Sequence, residues 1–139
     1  MRILAIGNSF SDDSLEYLYP VLQALGVDNI SLGNLYIGGC SLQRHVENFE
    51  NKTPAYEYRT NTENKWETTL EHSLNAAILS QEWDVVSMQQ ASHDSGVKDS
   101  YQCLSRLIDF VHANTKKGVK LVWNMTWAYQ EDSTHEGFI

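Results

Sequence analysis

Two cysteines and two prolines are all that 139 residues contain of either type, and their scarcity excludes two routes to stability. Cys40 and Cys103 lie far apart with no other thiol between them, so neither a disulfide scaffold nor a cysteine-based metal centre is expected. Both read as small core residues. No apolar run approaches the length needed to cross a bilayer. Positive charge is scarce as well: 10 Lys and Arg against 18 Asp and Glu give a formal net charge of −8. On average such a chain repels a nucleic-acid backbone or an anionic membrane surface. Histidines at metalloprotease spacing are missing, so no zinc site is expected. The glycine turn near the N-terminus has no second glycine followed by Lys and Ser or Thr, which excludes a phosphate-cradling loop. No other feature calls for a cofactor. No leader precedes the first apolar stretch, so the protein is expected in the cytoplasm, or exported after loss of a signal peptide.

What is present is the composition of one globular domain spanning 1–139, with 42% hydrophobic and 20% charged residues. Ile3 to Ile6 is a short apolar run suited to a parallel strand covered on both faces. From Ser14 to Leu25, Leu15, Leu18, Leu22 and Leu25 recur at helical spacing; Pro20 either kinks this segment or starts a second turn, and Gly26 closes it. Ser11, Asp12 and Asp13 offer N-caps, with Asp13 and Glu16 at capping-box spacing. Ile30 to Ile37 reads as a second strand whose alternation changes phase at Gly33-Asn34, which predicts a bulge or an early end. A short helix over Ser41 to Phe49 carries His45.

Tyr56, Tyr58 and Trp66 alternate with polar residues around the turn-rich Asn61 to Asn64, which predicts a small β-hairpin inserted within Ala55 to Thr69. Near the rim it would shape a pocket, its aromatic rings stacking on a sugar or on one another. Thr68 with Glu71 then has capping-box spacing for a helix bearing Leu70, Leu74, Ala77 and Ile78. Trp83 to Met88 is a third strand, Tyr101 to Val111 marks an amphipathic helix, and Val119 to Trp123 is a fourth strand. The alternation of strands and helices predicts an α/β fold with helices on both faces of a mainly parallel sheet. No closing helix follows the fourth strand. The sheet edge therefore reads as unfinished, and a second copy of the chain is one way to cover it.

Three loops follow the C-terminal ends of these strands, where α/β folds place their ligands. In the first, Gly7 permits a sharp turn and Ser9 occupies the first exposed position, beside backbone N–H groups that favour a developing negative charge. Ser9 is either a nucleophile or an ordinary turn and capping serine. In the second, Gly38-Gly39 either lets a bare amide approach a ligand or simply supplies positive φ. The third loop holds Gln89, Gln90, Ser92 and His93.

Taken together, Ile6-Gly7-Asn8-Ser9-Phe10-Ser11, Gly38-Gly39-Cys40-Ser41-Leu42 and Asp84 to His93 resemble the SGNH or GDSL hydrolase superfamily, and more narrowly its DUF4886-like branch. The resemblance implies a flavodoxin-like, three-layer α/β/α sandwich that hydrolyses esters, often acyl groups on carbohydrate or lipid. It makes Ser9 the nucleophile and Gly39 an oxyanion donor. Asn8 replaces the usual aspartate, and where the family has Gly-x-Asn-Asp this chain offers Gln90 first and Ser92 second as the amide or hydroxyl donor. It also implies an Asp-x-x-His pair after the last strand. Asp132-Ser133-Thr134-His135 fits that pattern, yet follows the fourth strand directly, so the alternative is a pair in a further C-terminal strand and helix that this sequence lacks. His45, His72 and His112 fall on expected helices. The small-molecule partner implied is an ester, with O-acetylated carbohydrate as one case; without a histidine base the same pocket would bind such a ligand and not turn it over.

Overall fold

The computed structural model describes residues 1–127 and 129–134. Alternation along β1 (Arg2–Gly7) sets the plan: Leu4 and Ile6 point into one buried layer, while Ile3, Ala5 and Gly7 face the other side. Strand β1 pairs in parallel with β2 (Ser31–Tyr36) and β5 (Val85–Met88), and β5 pairs in parallel with β6 (Lys120–Trp123). On the far side of β2, the antiparallel hairpin β3 (Tyr56–Asn61) and β4 (Trp66–His72) completes a mixed six-stranded sheet of order β4-β3-β2-β1-β5-β6.

One face carries α1 (Ser9–Leu15) and the short α2 (Leu18–Ala24). The other is covered by α3 (Leu42–Asn51), α4 (Leu74–Leu79) and α5 (Leu104–Asn114). Between that second layer and the sheet lies the main core, in which Trp83, Tyr56, Leu35, Leu42, Leu74 and Leu107 are essentially closed to solvent. The expected α/β fold with a mainly parallel sheet and helices on both faces is therefore the one found.

Four local expectations change. Strand β2 has no bulge: Gly33 sits within unbroken pairing because a Cβ there would lie 2.9 Å from both the Trp83 ring and the Tyr58 hydroxyl. Its neighbour Asn34 is buried on the opposite face as a polar tie to α1. The hairpin is not a rim appendage but extends the sheet, with Tyr56 and Tyr58 in the core, where they pack on His45 and His72. Thr68 and Glu71 do not open a helix. Pairing of Thr68 with Arg59 and of Thr69 with Tyr58 holds that segment in β4, His72 with it, and Ser73 caps α4 by accepting from the Ala76 N–H. Finally, α1 starts earlier than the Asp13–Glu16 pair suggests, because Asn8 caps it through the Phe10 N–H.

The segment from Leu15 to Leu25 is two helices, broken ahead of Pro20, and Gly26 at φ +78° ends the second. Among the described residues no helix is long and apolar enough to cross a membrane.

Candidate active site

At the C-terminal edge of the parallel strands, Asn8 joins three loops. Its side-chain oxygen accepts from the Phe10 N–H and from Gln89 Nε2, and its Nδ2 donates to the Cys40 carbonyl at 3.2 Å. Asn8 is buried while Ser9, the next residue, is exposed. One residue thus fixes the turn after β1 to the Gly38-Gly39 loop and to the end of β5. Gln89 extends the chain of carboxamides by accepting from Asn124 Nδ2 at 2.9 Å, and Asn124 lies just beyond β6. All four parallel strand ends are tied through side-chain amides.

Gly7 is required beneath this junction, since a Cβ would fall 2.6 Å from Ser11 Cβ. Ser11 Oγ lies 2.8 Å from both the Asn8 carbonyl and Asn34 Oδ1, with one proton to share between them. Asn34 Nδ2 donates to Asp12 at 3.1 Å. Ser9 is the first residue of α1, so its N–H has no carbonyl of its own helix to bond. Gly39 has φ +64°, is exposed, and faces open space where a Cβ would stand. Ser9 and Gly39 are thus both exposed, on segments that Asn8 ties to each other.

Ser9 lines a cavity of about 450 Å³ together with Asp12, Asp13, Glu16, Arg59 and Trp66. The Arg59 guanidinium pairs with Asp12 and Glu57 and lies 3.9 Å above the Tyr36 ring. Those two carboxylates hold its pKa up against the opposing effect of burial. Trp66 donates from Nε1 to the Glu16 carbonyl at 3.4 Å, placing its indole as a wall. A second, more apolar cavity of about 430 Å³ lies among Gln90, Tyr101, Trp123, Met125 and Trp127. Trp127 meets the Phe10 ring edge-on at 5.8 Å.

Gln90 stands elsewhere than its assigned role requires. It is 2% exposed; its Oε1 accepts from the Leu42 and Ala91 N–H groups, and its Nε2 donates to the Ser100 carbonyl and hydroxyl. That amide straps α3 to the loop after β5 and has no donor turned to Ser9. Ser92, the second choice, is engaged with the Tyr129 hydroxyl at 3.1 Å. The residue on the Ser9 side is Gln89. Alternation along β5 contained the signal: Val86 and Met88 face the core, so Ser87 and Gln89 face α1.

The histidines divide by environment. His45 is fully buried behind the glycine loop, its Nδ1 2.8 Å from the Tyr56 hydroxyl and 3.6 Å from Cys40 Sγ. Burial first, and Arg44 second, lower its pKa to about 3, so it stays neutral. Burial likewise pushes the Cys40 thiol up to about 12, which leaves it without nucleophilic character at neutral pH. His93 is half-exposed beside Asp94 at 3.5 Å. His112 is exposed at the end of α5. Asp132 is exposed in a turn after β6, and His135 lies outside the described residues. Among the described residues no histidine hydrogen-bonds Ser9, and no three His, Cys, Asp or Glu side chains gather as a metal site.

Sequence reasoning missed Asn8 as the hub, Gln89, Asn124 and Arg59, whereas Trp66 belongs to the hairpin expected to shape a pocket and does line the Ser9 cavity. A lone asparagine in β2 was the visible clue to a polar tie; for Arg59 only Glu57 is local, while Asp12 and Tyr36 come from α1 and β2.

The family model described as "Domain of unknown function (DUF4886)" matches residues 2–139. A crystal structure of a DUF4886 family protein from Bacteroides uniformis superposes with a TM-score of 0.91 at 40% identity, covering 99% of this chain and 54% of that one. A "putative SGNH hydrolase" from Slackia heliotrinireducens shares the fold at a TM-score of 0.61 and 23% identity, over 96% of this chain and 60% of the other. The chain thus spans little more than half the length of either structure. No protein of curated function matches it.

Proposed function

The chain belongs to the DUF4886 family, and on that premise we propose that it is a serine ester hydrolase of the SGNH kind, acting on an O-acyl ester through Ser9. The observation that carries this reading is the Asn8 junction. Its buried amide side chain ties the turn that carries the exposed Ser9 to the loop of Gly39 and to the end of β5, and Ser9 lines a cavity there. The Ser9 oxygen attacks the ester carbonyl, and its proton passes to an imidazole base; Asp132 and His135 are the pair assigned that task. The N–H groups of Ser9 and Gly39 receive the oxyanion, each such donor lowering the barrier by about 3 kcal/mol. Collapse breaks the bond to the alcohol, which leaves with the proton from the imidazole, and water then releases the acid. Gln89 acts through Asn8, keeping the loops in register. The indole of Trp66 and the carboxylates of Asp13 and Glu16 suit a hydroxyl-rich alcohol such as a sugar.

A second reading, a domain that binds acylated carbohydrate without turnover, is favoured by one observation: no described histidine touches Ser9. Hydrolysis of p-nitrophenyl acetate by the chain, against Ser9→Ala and His135→Ala, separates the two. Turnover that falls by at least about 10³-fold in both variants supports the hydrolase. No turnover by well-folded wild-type protein supports the binding domain.

A further inference from the structure

The hairpin residue Arg59 stands between the two reacting loops without belonging to either. Its guanidinium pairs with Asp12, three residues after Ser9, and covers the ring of Tyr36, three residues before Gly39. In the β2–β3 register Arg59 stands opposite Asn34, and Asn34 donates to Asp12 as well, so the Asp12 carboxylate is held from both sides. Glu57 takes the remaining edge of the fork at 2.9 Å. A planar cation that donates to one carboxylate at each edge and stacks on an aromatic ring is held in a defined orientation.

We infer that Arg59 is a positioning residue for the reaction, setting the separation between the Ser9 oxygen and the Gly39 amide by clamping α1 to the end of β2. The inference rests on the hydrolase reading above. It explains why a hairpin that completes the sheet also carries a charged side chain inward to the same cavity as Ser9. Lysine keeps the charge but loses both the stacking plane and the second edge, so this site distinguishes the two cations. A shift of the order of 1 Å between reacting groups is enough for a rate loss of about 10²-fold, while the fold is unaffected.

The test is the second-order rate at which a fluorophosphonate modifies Ser9 in the whole chain, measured with thermal unfolding for Arg59→Lys, Arg59→Met, Tyr36→Leu and Tyr36→Phe. Arg59→Lys and Tyr36→Leu are expected to react at least about tenfold more slowly, with the melting temperature of Arg59→Lys within a few degrees of wild type. Tyr36→Phe, which keeps the ring, is expected to retain the wild-type rate. For p-nitrophenyl acetate the loss is expected mainly in kcat, because a positioning residue acts on the arrangement of the reacting groups. Wild-type rates in Arg59→Lys and Tyr36→Leu would overturn the positioning role while leaving the hydrolase intact. A wild-type chain that is not modified at Ser9 would overturn both.

Discussion

Asn8 is the residue on which the candidate site turns. Replacing it by Ala removes the cap of α1, worth about 1 kcal/mol, and leaves Gln89 and the Cys40 carbonyl buried without their partner at about 1–3 kcal/mol. A total loss of about 2–4 kcal/mol in urea unfolding is the expected result. Two glycines beside it separate space from backbone. Gly7→Ala drives a Cβ into Ser11 and Gln89, an overpacking that typically costs about 1–3 kcal/mol and here also displaces the site. Gly39→Ala meets no atom but must hold φ +64°, so it costs about 1 kcal/mol from conformation alone. Finding the two equally damaging to stability would contradict this account of the turn. His45 makes a prediction of pH dependence. Its folded pKa of about 3 lies below the ordinary 6.5, so the unfolded chain binds the proton more readily. The stability it permits is whole above pH 6.5 and declines as pH falls toward 3, with a limiting slope of about 1.4 kcal/mol per pH unit. Urea titrations of His45→Gln over that range are expected to lack that slope.

At the scale of elements, the sharpest test concerns where α4 begins. Ser73→Ala removes a cap and is expected to cost about 1 kcal/mol, whereas Thr68→Ala on exposed strand β4 is expected to cost less than about 0.5 kcal/mol. The reverse order would place the helix start at the Thr68–Glu71 pair. That pair shows how far local pattern reaches. The strands beginning at Arg2 and Val85, and helices α3 and α5, follow periodicity that the sequence displays openly, because their burial is one-sided or complete, and β6 shows as a short apolar run although it is largely exposed. The hairpin, by contrast, takes its place from pairing with β2, a contact across some twenty-five residues that no local spacing encodes. Gly33 looked like a break in β2 for the same reason, since what it accommodates is Trp83 and Tyr58 from elsewhere in the chain. In the site, Ser9 and Gly39 were legible as loop residues after strand ends. Gln90 was misread because a polar pair at a strand end hides which member faces the cleft until the alternation of β5 is followed through.

For the whole molecule, a mixed sheet clothed by helices on both faces delivers four strand ends to one edge, and the carboxamides of Asn8, Gln89 and Asn124 bind that edge into a unit. The net charge of −8 and the carboxylates around Ser9 support the part of the proposal that takes a neutral, hydroxyl-bearing molecule as the substrate. The central claim is that this edge makes one serine reactive. Incubation of the chain with a fluorophosphonate, digestion and mass spectrometry of the modified peptide tests it most directly. The account predicts a single phosphonyl adduct on Ser9, formed much faster than on any of the other serines and lost in Ser9→Ala; a folded chain left unmodified, or modified equally at its other hydroxyls, would contradict it.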